Sequence, residues 1–227
     1  MVDKLIGLSN TEQAELIANH YSKISYEYEP INKEEFKDII SSKKVPRIEP
    51  RKVYEIIKTM NKKAATVEGD IPMKLISEFS VELAFPLAHL INFCWESGTY
   101  PNIWKLEHVT PVPKTFPPEQ LTDLRKISGL LNFSKINDKI LGEIIIEDMK
   151  PTRDPAQYGN EKHVSIQHYL IKMLHKILVA VDTNSQSEAI AVLIQMIDWS
   201  QAFDRQSHTL GVKSFIKNGV RSSLVPI

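Results

Sequence analysis

The chain has 227 residues, 42% of them hydrophobic and 25% charged, which is enough apolar material for one large domain or two small ones and too much for a globally disordered chain. Its 28 basic and 28 acidic side chains cancel, so it lacks the overall basic excess of a typical nucleic-acid binder, although the total is blind to how charge is distributed. The single cysteine, Cys94, excludes an intramolecular disulfide and a cysteine-based zinc site and fits an intracellular setting, cytoplasm or nucleus.

The N-terminus has no apolar run followed by a cleavage site, and no run of about eighteen apolar residues occurs anywhere, so neither a signal peptide nor a membrane span is expected. Ser9-Asn10-Thr11-Glu12 has the capping-box pattern, and Ala14, Ile17, Tyr21 and Ile24 follow at helical spacing. Beyond a charged linker, Asn32 to Ser41 predicts a short helix capped by Asn32. Pro50 suits the first turn of a helix whose apolar stripe is Val53, Ile56, Ile57 and Met60. Gly69-Asp70-Ile71-Pro72 reads as a turn. Two helices are predicted next, Pro72 to Phe79 and Val81 to Ser97; Pro86 should kink the second or mark its true start, and Gly98 ends it.

Val109 to Val112 is β-branched and proline-bounded, which suits an edge strand. Phe116-Pro117-Pro118 is a loop, and Ile127 to Leu131 predicts a second short strand. Ser134 to Met149 predicts a helix with Ile136, Ile140, Ile144 and Leu141 facing inward, ended by Pro151 and Pro155. Ser165 to Val181 is a strong helix candidate, and Ser185 to Ser187 a polar turn. Ala189 to Ile197 is a near-continuous apolar run, the pattern of a strand buried on both faces, with Asp198 at its C-terminal end. Ser207 to Lys217 predicts a last helix closed by Asn218-Gly219. Helices dominate a few strands, so the expected class is helix-rich α/β or α+β.

A carboxylate at a strand end is well placed to hold a hard cation, because the strand fixes it while the next loop stays open. Read alone, however, Asp198 is more often the cap of a turn. The seven histidines form no metal signature, and no glycine-rich phosphate loop is present.

Several short motifs in order carry a resemblance. Asp198-Trp199-Ser200-Gln201-Ala202-Phe203-Asp204 resembles the first palm motif of reverse transcriptases from non-long-terminal-repeat (LINE-like) retrotransposons. Gly69 to Pro72, then Pro86-Leu87 with Gly98, Pro101 and Trp104-Lys105, resemble upstream motifs of the same family. So do Val109-Thr110-Pro111-Val112-Pro113-Lys114, Asp123-Leu124-Arg125-Lys126-Ile127-Ser128, and Gln157-Tyr158-Gly159 followed by Ser165. The resemblance spans residues 60 to 227. It implies the fingers and part of the palm of a right-hand polymerase fold, incomplete here. Residues 1–62 are then an N-terminal helical extension and linker, 63–185 a fingers-like region, and 186–227 the start of the palm.

By the same resemblance Asp198 would be the catalytic carboxylate and a ligand of both Mg²⁺ ions, with Trp199 offering a backbone carbonyl. Phe203 would pack under the sugar of the incoming nucleotide, and Lys114 and Arg125 would hold its triphosphate. Gln157, Tyr158 and Gly159 would contact template. The implied partners are an RNA template, a DNA primer and deoxynucleotides. Three residues depart from the family pattern: Lys126 stands where proline is common, Asn160 where an aromatic is common, and His163 where glycine is common.

The family's second carboxylate pair, an Asp-Asp, occurs nowhere in these residues, and no acid follows Asp204. The resemblance therefore implies a domain truncated within the palm, binding Mg²⁺ weakly or not at all and inactive by itself, with its apolar strand left as an exposed edge. Two other readings stand beside it: a non-catalytic nucleic-acid-binding remnant, and a helical interaction module.

Overall fold

The computed structural model describes residues 8–25, 31–36, 44–118, 120–160, 163–183, 192–199, 202 and 204–224. The chain divides into two units, one formed by residues 1–150 with 203–227 and the other by residues 151–202. The architecture is mixed and helix-rich, with one small sheet, an α+β arrangement.

The first unit begins with α1 (Asn10–Ser25). Ser9 caps it reciprocally: the Glu12 carboxylate accepts from the Ser9 amide at 2.8 Å, and the Ser9 hydroxyl accepts from the Glu12 amide at 3.4 Å. The Asn32 region makes a 3₁₀ turn at Lys33–Phe36, with the Asn32 side chain accepting from the Glu34 amide at 3.1 Å. The rest of the expected helix, 37–41, lies outside the described residues.

Helix α2 (Pro50–Thr59) starts on its proline and buries Val53, Ile56 and Ile57, as its apolar stripe predicts. Helices α3 (Met73–Glu78) and α4 (Ser80–Ser97) are separated by Phe79 alone. Pro86 lies inside α4, so it does not mark the helix start. Gly98, at φ +62°, closes α4 in the left-handed conformation that glycine adopts without a Cβ clash.

Strands β1 (His108–Pro113) and β2 (Leu124–Gly129) form an antiparallel hairpin. Helix α5 (Asn132–Met149) follows, and α7 (His208–Lys217) comes after the second unit in sequence. Strand β2 begins three residues before the predicted stretch, because pairing with β1 rather than local apolarity sets its limits.

The core lies where α2 packs on α4 and α5. Val53, Ile57, Met73, Ile76, Ile91, Trp95, Trp104, Ile136 and Ile140 are at its centre. Leu141 and Ile144, read as inward-facing, pack at its margin. Polar residues are built into this core as well. The Trp95 indole donates to Asn137 Oδ1 at 3.0 Å, and the Tyr100 hydroxyl donates to Asp138 at 2.8 Å. Burial, with Asp138 beside it, pushes the Tyr100 hydroxyl above its ordinary pKa.

Asp70 spans the turn and the start of α5. One carboxylate oxygen accepts from the Ile71 amide and the other from the Asn132 amide, each at 2.8 Å, while the Asn132 side chain donates to the Ile71 carbonyl at 2.9 Å. The α5 N-terminus is thus capped from a distant turn rather than by its own preceding residue. At its other end Asp148 accepts a bidentate pair from Arg221 at 2.7 and 2.6 Å, with the two side chains 3% and 18% exposed.

The second unit contains a set of turns and α6 (Ile166–Thr183). Ser165 caps α6 with the His168 ring in the place a Glu would take: the Ser165 amide donates to His168 Nδ1 at 3.0 Å. The predicted strand at 189–197 is not found. Residues 192–199 carry no strand, and Leu193, Met196, Ile197 and Trp199 are exposed; residues 189–191 lie outside the described residues. An apolar run becomes a buried strand only beside pairing strands, and among the described residues the only sheet is the β1–β2 hairpin. Asp198 is therefore not placed at the end of a strand. The polar turn at 185–187 also lies outside the described residues.

Candidate functional site

The residues predicted to hold a triphosphate meet on the hairpin. Cross-strand partners share a face of a sheet, and so do alternate residues along each strand. The register pairs Thr110 with Ile127 and Val112 with Arg125, so these four share one face, and all are exposed. The Lys114 amide donates to the Asp123 carbonyl at 2.7 Å, which extends the ladder beyond β1. Lys114 thus stands two residues past Val112 and falls on the face of Arg125. Two cations from segments ten residues apart are brought together by one turn.

The two cations differ in their ties. Lys114 Nζ donates to the Thr122 carbonyl at 2.7 Å, so the ammonium folds back on its own turn. Arg125 has no side-chain partner among the described residues. The nearby acid Asp123 accepts from the Gln120 amide at 2.8 Å, and Asp138 accepts from Tyr100. The Arg125 guanidinium presents a planar fork of donors.

The opposite face carries Val109, Pro111, Lys126 and Ser128, and it looks across a groove of about 680 Å³ to Ala14, Ile17 and Tyr21 of α1. Lys126 pairs with Glu107 there. Burial alone would raise the Glu107 carboxyl, but hydrogen bonds from Lys126 and Ser128 and the Lys126 charge outweigh it and leave the pKa lowered. Lys126, a departure from the family pattern, thus holds the hairpin's inner face.

The remaining predicted residues lie in the second unit or at its edge. Asp198 and Trp199 are exposed on the irregular stretch 192–199. Phe203 is outside the described residues. Gln157 closes a turn, its side chain donating to the Gly159 carbonyl at 2.9 Å. The Tyr158 ring packs 5.6 Å from Tyr169 and lies under Lys172 Nζ at 5.3 Å. Asn160 and His163 both have positive φ, 58° and 63°. Asparagine tolerates that conformation; histidine does so less readily, and glycine does so freely.

Among the described residues no three His, Cys, Asp or Glu side chains converge. Asp198 and the Trp199 carbonyl present only part of the octahedral oxygen set that Mg²⁺ takes. Sequence reading placed Asp70 in a turn but missed its hold on α5, and it missed Asn132 and Asn137, the polar residues on α5 itself. Their signal was faint, because a polar residue on a helix ordinarily reads as an outward one.

No model of a protein family matches this chain, and no curated protein matches it. No described helix is long and apolar enough to cross a membrane.

Proposed function

We propose that these residues correspond to the fingers and the first palm motif of an RNA-directed DNA polymerase of the LINE-like retrotransposon type, with the β1–β2 hairpin as its nucleotide-triphosphate platform. The observation that carries the reading is the register of the hairpin: Lys114 and Arg125, assigned to the triphosphate by resemblance alone, share one exposed face. A point charge beside a planar fork suits a polyphosphate, the fork binding two oxygens at once and the ammonium adding charge. The left-handed backbone at His163, where the family commonly has glycine, also supports it.

In this reading Asp198 is the catalytic carboxylate and Phe203 the ring under the nucleotide sugar of the first palm motif, and the family's enzyme works with an RNA template, a DNA primer, deoxynucleotides and Mg²⁺. The platform itself is testable in the 227-residue chain. Titrating a deoxynucleoside triphosphate into ¹⁵N-labelled protein is expected to shift the amides of Val112, Lys114, Thr115 and residues 123–127, and Arg125→Gln is expected to weaken that binding about tenfold, the loss of one bidentate charged contact. Millimolar nucleotide that leaves the hairpin amides unmoved, or that shifts them equally in the variant, removes the basis of the reading.

A further inference from the structure

Helix α4 has two apolar sides. One, with Leu87, Ile91 and Trp95, is buried in the core, while the other carries Phe85 and Phe93 at 70% and 61% exposure. A helix that is apolar on both sides is ordinarily covered on both. The two phenylalanines stand eight residues apart, about 12 Å along the axis, on one side of α4 with His89 between them.

The segment leading into α2 runs beside this side of α4, and the two enclose a groove of about 440 Å³ that both rings line. Asn92 fixes that segment in place: its side chain accepts from the Ile48 amide at 2.7 Å and donates to the Ile48 carbonyl at 2.8 Å. Ile48 is itself buried, so both walls are anchored and the groove is formed before anything enters it.

The charges along the groove are mostly acidic. Glu82 and Glu96 lie seven residues to either side of His89, two helical turns in each direction, and so fall on its stripe. Glu49 rims the opposite wall. None of the three pairs with a cation among the described residues. The start of α4 favours an acid such as Glu82, but Glu96 is in the last turn, where the helix dipole opposes it. Arg47 is the one cation among the groove's described lining residues, and Arg51 beyond it is engaged by Glu55.

We infer that this side of α4 is a docking site for a basic amphipathic helix of another protein, whose apolar side chains cover Phe85 and Phe93 and whose Lys or Arg residues meet Glu82 and Glu96. A second copy of this chain fits poorly. Two α4 helices crossed antiparallel at His89 would set each Glu82 against a Glu96, like charge on like. The inference uses no residue of the hairpin and does not rest on the polymerase reading.

The test is fluorescence anisotropy of a labelled leucine–lysine helix (LKKLLKLLKKLLKL) with the full chain, beside the leucine–glutamate peptide of the same pattern. Wild-type protein is expected to bind the lysine peptide saturably and the glutamate peptide about tenfold more weakly. Phe85→Ser with Phe93→Ser changes only the solvent side of α4 and should weaken the lysine peptide about tenfold or more, the loss of two covered rings. Glu82→Lys with Glu96→Lys should reverse the preference, a gain of binding to the glutamate peptide that a folding defect could not produce. Five results overturn the inference: no saturable binding of the lysine peptide, equal binding of the two peptides by the wild type, unchanged affinity in the Phe variant, no reversal in the Glu variant, or a wild-type dimer in sedimentation equilibrium that the Phe variant converts to monomer, since a second copy would then cover this face.

Discussion

Among single residues, Arg221 has the largest expected effect. Its guanidinium meets the buried Asp148 carboxylate in two parallel hydrogen bonds, and its backbone amide adds a third at 3.1 Å. That contact raises the Arg221 pKa and ties the segment after α7 to the end of α5. Arg221→Met should cost about 3 kcal/mol in urea unfolding, because it removes the charge partner of a buried carboxylate; a loss below about 1 kcal/mol would show that the pair adds nothing beyond packing. Glu107 gives a pH-dependent counterpart. Its folded pKa lies below the ordinary value of 4.5, so its contribution to stability is present above that value and is lost as pH falls through the folded one. Lys126→Met leaves burial less opposed, and the Glu107 carboxyl should then titrate at higher pH in a carbon-detected NMR titration. An unchanged value would mean that Ser128 alone holds it down.

Whole helices of similar apolar content meet different fates. Helices α2 and α5 read clearly in the sequence and are anchored in the structure by Ile56, Ile57, Ile136 and Ile140. Helix α6 is as apolar and also forms, yet none of its described side chains is buried, and Ile166, Leu170, Leu174 and Leu178 are about half exposed or more. Backbone hydrogen bonds without a packed face open locally at little cost. Amides of α6 should therefore exchange with deuterium about two orders of magnitude faster than those of α5. Equal protection in the two helices would mean that α6 is buried in solution. The hairpin shows the opposite case: its strands are short and polar, and pairing alone gives them their limits.

For the molecule as a whole, balanced composition conceals both the two units and the placement of charge. The acid-free tail, basic by sequence, is partly neutralised from outside itself: Lys213 is met by Glu35 at 2.7 Å and Arg221 by Asp148. A formal charge of zero therefore says little about where the charges are placed.

The sequence by itself determined where the helices lie, the Ser9 cap of α1 and the inward stripes of α2 and α5, because the 3.6-residue period and the Ser, Pro and Gly signals act within a few residues. It also named Lys114 and Arg125, through the ordered motifs that surround them. Only the tertiary structure decided that these two share a face and that Asp70 caps a helix some sixty residues away. Each of these depends on contacts between distant segments, which no local period encodes. The stretch ending at Asp198 marks the boundary between the two. Its apolar run met the local condition for a strand, but strand formation needs a neighbour to accept its hydrogen bonds, and among the described residues none is there.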